Sequence, residues 1–308
     1  MTLIYTDDAA LNHVTPPGHP ERVARIEALL PALKEIDGLR WREAPLGSRS
    51  DVLRCHPEPY IARIEAAIPA QSYASLDADT HVSSGSLDAA MRAVGGITAA
   101  IDAVVAGDAK TAFVAMRPPG HHAETETAMG FCLFGTAAIG AKYALDHHGV
   151  SRVAVLDFDV HHGNGTQDLL WNEERTLFAS SHQMPLYPGT GGTHETGAHG
   201  NVLNVPLAPM TGGREMRRAW GDLILPAVDD FAPDLIIISA GFDAHADDPL
   251  ANLNWVEEDF RWVTEAICDV AESHSNGRVV STLEGGYDLD ALAASGAAHV
   301  KALKEHEG

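Results

Sequence analysis

Arg152-Val153-Ala154-Val155-Leu156 runs without a break into Asp157-Phe158-Asp159-Val160-His161-His162-Gly163-Asn164-Gly165. The first five residues have the length and the β-branched, apolar composition of a buried strand. In an extended backbone alternate side chains share a face, so Asp157, Asp159 and His161 point the same way where the strand ends. Two carboxylates and an imidazole then converge on one small volume, and such a cluster repels itself unless protons or a cation neutralise it. Asp-x-His joined by one more, distant carboxylate suits a catalytic zinc with an open position. On this motif alone, a polar strand-to-helix turn is the competing reading.

The same pattern of apolar run followed by polar motif recurs along the chain. Ala112-Phe113-Val114-Ala115-Met116 opens into Arg117-Pro118-Pro119-Gly120-His121-His122, where the prolines stiffen the exit and the glycine permits a sharp turn, which places two histidines at a strand tip. A rigidly held histidine pair is a general acid/base candidate. His147-His148 is a counterweight: it precedes Gly149 at an apparent helix C-terminus, where imidazoles simply suit the dipole. Thr176–Ser181 ends in hydroxyls, and a Gly-rich loop from Pro185 to Gly200 has the length of a site-forming loop. Asp234–Ala240, rich in isoleucine, delivers Gly241-Phe242-Asp243, and with it the distant carboxylate. Arg278–Leu283 delivers Glu284-Gly285-Gly286-Tyr287-Asp288. Five polar motifs thus follow five strand-like runs separated by helical segments, and in a mostly parallel α/β sheet the carboxyl ends of the strands can share one crevice. Leu3-Ile4-Tyr5 reads as a short first strand. A helix is expected over Glu21–Leu30 with Pro20 at its first turn and Glu21, Arg22 and Arg25 on a solvated face. A longer helix is expected from about Ser86 to Val105, packed closely against a neighbour at Gly95-Gly96.

Composition sets the frame. The chain has 308 residues, 45% hydrophobic and 21% charged, enough for one large α/β domain spanning 1–308, with no linker or repeat to divide it. Cys55, Cys132 and Cys268 stand far apart with no Cys-x-x-Cys, which argues against a disulfide framework or a thiolate zinc site and favours a reducing, cytoplasmic setting. The N-terminus lacks the features of a signal peptide, and no stretch of about 18 uninterrupted apolar residues occurs, so neither export nor a membrane is expected. With 43 acidic and 21 basic residues the formal charge is −22, which disfavours nucleic acid as a partner.

Arg-Pro-Pro-Gly-His-His, Gly-Phe-Cys, Asp-Phe-Asp-Val-His-His-Gly-Asn-Gly-Thr-Gln, Tyr-Pro-Gly-Thr-Gly, Ala-Gly-Phe-Asp-Ala-His and Glu-Gly-Gly-Tyr occur in this order. Together they resemble the zinc-dependent histone deacetylase family, which includes bacterial class II-like histone deacetylase-like amidohydrolases and acetylpolyamine amidohydrolases. The resemblance extends from Gly18-His19-Pro20-Glu21-Arg22 to Tyr287. It implies the arginase/deacetylase fold, a central eight-stranded, mostly parallel sheet flanked by helices. It implies one catalytic zinc on Asp159, His161 and Asp243, with His122 as general base, His121 as electrostatic partner or acid, Asp157 behind His121 and Asn164 behind His122. Tyr287 would donate to the developing oxyanion. The family's potassium site would use Asp157, Asp159, His161, Ser180 and Ser181. Gly130, Phe131 and Tyr187 match positions lining an acyl-lysine tunnel, Asp79 a rim aspartate that grips substrate backbone, and Arg25 an acetate exit path. The segment before Arg117 is too short for the long insertion of typical acetylpolyamine amidohydrolases.

The activity implied is hydrolysis of an N-acyl amide such as acetyl-lysine or an acetylated amine, with release of acetate. The alternatives are another small N-acyl amide or acetylpolyamine, a two-metal ureohydrolase on the same fold, and a binder of acyl-amines that does not cut them. Relatives suggest a monomer or compact homo-oligomer.

Overall fold

The computed structural model describes residues 1–306. Ten strands occur among them: β1 (Thr2–Thr6), β2 (Arg40–Glu43), β3 (Tyr73–Ser75), β4 (His81–Ser83), β5 (Thr111–Val114), β6 (Val153–Asp157), β7 (Thr176–Gln183), β8 (Val202–Leu207), β9 (Leu235–Ala240) and β10 (Val279–Leu283). β3 and β4 form a small antiparallel hairpin; the other eight make one sheet in the order β2-β1-β5-β10-β9-β6-β7-β8, every pair parallel.

Parallel strands are buried on both faces, which is why β5, β6, β9 and β10 read as continuous apolar runs rather than as alternating ones. Each fully buried isoleucine of β9 contributes about 1.5–3 kcal/mol relative to exposure. Successive side chains on β5 face opposite helical layers. Phe113 packs edge-on against His299 of the helix Leu289–Glu305, whereas a Cβ on Gly96 of the helix Ser86–Ala106 would stand 2.9 Å from Val114. Helices therefore cover both sides of the sheet.

The close packing expected at Gly95-Gly96 is present, since a Cβ on Gly95 would lie 1.9 Å from the Pro45 carbonyl oxygen. This helix, 21 residues long with a mean hydropathy of 1.5, has the length and composition to cross a membrane, yet 67% of its most apolar window is buried inside the fold. Its apolar character serves the core.

The first long helix departs from expectation. It spans Ala24–Lys34, with Pro31 inside it, so Pro20 is not in its first turn. Glu21 and Arg25 are fully buried rather than solvated. Glu21 is pulled out of the helix by Arg117, whose Nε and Nη2 donate to Oε1 and Oε2 at 2.5 and 2.6 Å. His13 Nε2 lies 3.2 Å from Oε2, and Arg25 Nη1 donates to Oε1 at 3.2 Å. A bidentate buried pair outweighs the local gain of one more helical turn.

Candidate active site

The four central strands, β5-β10-β9-β6, are adjacent in the sheet, and the motifs that follow them meet above their carboxyl ends. Asp159 and His161 follow β6, Asp243 follows β9, His121 and His122 follow β5, and Tyr287 follows β10. Candidate ligand atoms of Asp159, His161 and Asp243 all lie within 4.8 Å of one another, and all three residues are buried. His161 Nδ1 is 3.1 Å from both Asp159 Oδ1 and Asp243 Oδ2. One ring nitrogen facing two carboxylates is a set of three donors converging on a point, and burial of two carboxylates beside one imidazole calls for a cation, so these residues fit a divalent metal. The carboxylates are aimed by backbone amides: Val160 N–H donates to Asp243 Oδ1 at 2.9 Å, His161 N–H to Asp159 Oδ1 at 2.9 Å, and Gly285 N–H to Asp159 Oδ2 at 2.8 Å.

The two histidines after β5 have different surroundings. His121 Nδ1 meets Asp157 Oδ2 at 3.0 Å. Burial works against its cation, but the charges of Asp159 and Asp157 outweigh that and raise its pKa well above the usual histidine value. His122 Nδ1 meets Asn164 Oδ1 at 2.7 Å, and burial, followed by the neighbouring His121 and His161, holds its pKa well below the usual value. The surroundings thus favour the cation at His121 and the neutral form at His122, the separation expected of groups with different roles.

A cavity of about 230 Å³ leads to this cluster. Its lining grades from Tyr187, 39% exposed, down to His122, 4% exposed, with Phe131, Leu186 and Leu250 as apolar walls and His161 and Tyr287 also contributing. Asp79 lines it too, tied to Phe131 through Thr80: the Thr80 hydroxyl donates to Asp79 Oδ1 and accepts the Phe131 N–H. Gly130 and Phe131 both have positive φ, 54° and 68°. A side chain on Gly130 would put its Cβ 2.4 Å from His122 Cδ2, so only glycine lets the loop approach the histidine and turn the Phe131 ring into the cavity. Tyr287 is buried, with the Arg25 guanidinium 4.9 Å above its ring; burial raises its pKa well above the ordinary tyrosine value and keeps the hydroxyl protonated as a donor.

The structure brings all the sequence-predicted residues into this region. Asp157 and Ser180 are register partners on β6 and β7; Asp157 Oδ1 accepts the Asp159 N–H, and Ser181 Oγ accepts the Trp220 indole N–H. Sequence reasoning left several residues without a role. Glu284, fully buried with its pKa pushed up to about 7 by burial, accepts the Gly120 and His121 N–H groups and so sets the turn that carries the histidine pair. Glu124 accepts Asn164 Nδ2–H at 2.7 Å, and Leu186 and Leu250 complete the walls. An acidic residue directly after a strand was a visible signal for Glu284; nothing in the spacing marks Glu124. His147 and His148 lie apart from all this with Asp102, which accepts the Tyr143 hydroxyl and pairs with His148 Nε2 at 2.7 Å.

The histone deacetylase domain model matches residues 19–303. The chain belongs to the histone deacetylase family. It is 42% identical to the histone deacetylase-like amidohydrolase of Pseudomonas aeruginosa over 89% of this chain and 74% of that one. It is 38% identical to a probable deacetylase of Archaeoglobus fulgidus, over 94% and 82% respectively. The crystal structure of the HDA15 HD domain superposes with a TM-score of 0.93 at 31% identity, covering 99% of this chain and 90% of that one. The fold is therefore the arginase/deacetylase fold expected from the motifs, and the activity is that of an amide-hydrolysing deacetylase in a family that is generally zinc-dependent.

Proposed function

We propose that residues 1–308 act as one catalytic domain that hydrolyses the acyl amide of acetyl-lysine or an acetylated amine, using one zinc ion on Asp159, His161 and Asp243. The observation that carries this reading is the placement of a buried Asp-His-Asp donor set at the end of a cavity also lined by His122 and Tyr287. A bound zinc would polarise the substrate carbonyl and acidify an attacking water.

The chain's own groups divide the remaining work. Phe131, Leu186, Tyr187 and Leu250 sheathe the alkyl part of the substrate and exclude bulk water. His122, its Nδ1–H tied to Asn164, keeps the Nε2 lone pair to accept the proton of the attacking water. His121 supplies positive charge beside the developing negative charge and is a proton source for the leaving amine. Tyr287 donates its hydroxyl to the oxyanion. Asp79 holds the substrate at the outer end of the cavity. We further assign a structural potassium ion to the Asp157 side chain, the carbonyls of Asp157, Asp159, His161 and Ser181, and the Ser180 hydroxyl, and a cytoplasmic location with no membrane or nucleic-acid partner; the chain works as a monomer or homo-oligomer.

The test is metal content and turnover together. Asp243→Ala should lose nearly all bound zinc and all hydrolysis of a fluorogenic acetyl-lysine amide while keeping its fold. Full metal and full activity in that variant would remove Asp243 from the ligand set. A panel of acetyl-lysine peptides, acetylpolyamines and small N-acyl amides, run on the parent enzyme, ranks the substrate classes.

A further inference from the structure

Asp248 has no role in the chemistry described above, yet it is 6% exposed and its carboxyl oxygens accept hydrogen bonds from backbone amides around the cavity. Oδ1 accepts the Leu250 N–H at 2.9 Å. Oδ2 accepts the Tyr287 N–H at 2.7 Å and, more weakly, the Asp288 N–H at 3.4 Å. Leu250 and Tyr287 come from loops after different strands, β9 and β10, and both line the 230 Å³ cavity and the 340 Å³ groove beside it. The segment that needs holding is unusual: Gly286 has φ of 117°, so Tyr287 leaves a left-handed turn, and the Gly286 carbonyl accepts Arg25 Nε–H at 2.6 Å. The amides on the other side of that turn have Asp248 as their partner.

We infer that Asp248 is the positioning residue of this site, one carboxylate oxygen fixing the Leu250 wall and the other fixing the backbone from which the Tyr287 hydroxyl reaches the reacting carbonyl. A buried carboxyl whose two oxygens accept from amides of two different loops is a directional restraint on both, and a displacement on the order of 1 Å at a catalytic donor costs about a hundredfold in rate. The inference rests on the reading of Tyr287 as oxyanion donor.

Asp248→Asn tests it with little change of volume. Whichever way the amide turns, its NH2 faces one of the backbone N–H groups, so one of the two restraints is lost. Amide hydrogen exchange should quicken in at least one of the peptides containing 248–252 and 284–290 and stay unchanged elsewhere. The kcat should fall at least tenfold with zinc content kept, and in the Tyr287→Phe background the same substitution should change kcat little, because the group it positions is gone. If Asp248→Asn folds poorly, Asp248→Glu, which keeps the carboxyl group but displaces its oxygens, takes its place in the same measurements. Unchanged exchange in both peptides, or rate losses that multiply with Tyr287→Phe, overturns the inference. If the parent enzyme hydrolyses no acyl amide, the functional reading fails, and the exchange measurement still decides whether Asp248 holds the two segments.

Discussion

Asn164 Nδ2 donates to Glu124 Oε1 at 2.7 Å, and this contact fixes which way the Asn164 amide points. Its oxygen is left to face His122 Nδ1 at 2.7 Å, so His122 carries its proton on Nδ1. Glu124 thereby sets the tautomer of a histidine it does not touch, and a neutral amide, rather than a carboxylate, backs the base.

Asn164→Asp should therefore make His122 more basic, since a negative partner stabilises the imidazolium. His122 acts when neutral, so activity falls as pH drops through its pKa. Raising that pKa moves the acidic limb of the kcat/KM profile to higher pH. A limb that stays in place, or moves to lower pH, would take the base role away from His122.

Tyr287→Phe keeps the ring under Arg25 and removes only the hydroxyl. Loss of one oxyanion donor costs about a hundredfold to a thousandfold in kcat. Zinc content and melting temperature should hardly change. If turnover of an acetyl-lysine amide also stays the same, the hydroxyl is not part of the reaction.

The central strands were legible because burial on both faces of a parallel sheet writes an unbroken apolar run, as in Leu235-Ile236-Ile237-Ile238. The edges were not. β2, Arg40-Trp41-Arg42-Glu43, is exposed at every position and carries no such signal, and β8 contains Asn204 and Pro206, the latter tolerated because only one side of that strand is paired. The site follows the same division. Asp159, His161 and Asp243 stand directly after their strands and could be read from position, whereas Glu21 and Asp248 act through a guanidinium and through backbone amides supplied by remote segments, Arg117 and Tyr287. Spacing along the chain does not encode such partners.

Gly285 is required by proximity rather than by its backbone angle. A Cβ there would stand 2.1 Å from Asp243 Oδ2 and 2.5 Å from Asp159 Oδ2. Gly285→Ala should displace both carboxylates and lower zinc affinity by at least tenfold while the protein remains folded, as the clash is confined to the site. Competition with a chromogenic chelator measures this directly; affinity equal to that of the parent would mean that the loop yields instead of the ligands.

Glu21 links the acid stability of the fold to the wall beneath the site. Burial alone would raise its pKa, but Arg117, His13 and Arg25 outweigh burial and hold it well below the ordinary carboxylate value. A depressed folded-state pKa contributes stability that is fully present above the unfolded value, near 4.5, and is lost as pH falls through the folded value. At neutral pH, Glu21→Gln should be destabilising by about 3–5 kcal/mol, because Arg117 and Arg25 are left buried without their anion. Below about pH 4.5 the parent begins to lose that advantage, so the gap between the two proteins should narrow with each further step toward acid, provided that both are compared by urea unfolding at matched pH. A gap that is constant from pH 7 to pH 3 would mean that the Glu21 charge contributes nothing and that only its shape matters. Arg25 also donates to the Gly286 carbonyl at 2.6 Å and to the Glu284 carbonyl at 2.5 Å, so loss of Glu21 should loosen the turn that carries Tyr287. A fall in kcat should therefore accompany the loss of stability even under conditions where Glu21→Gln remains folded.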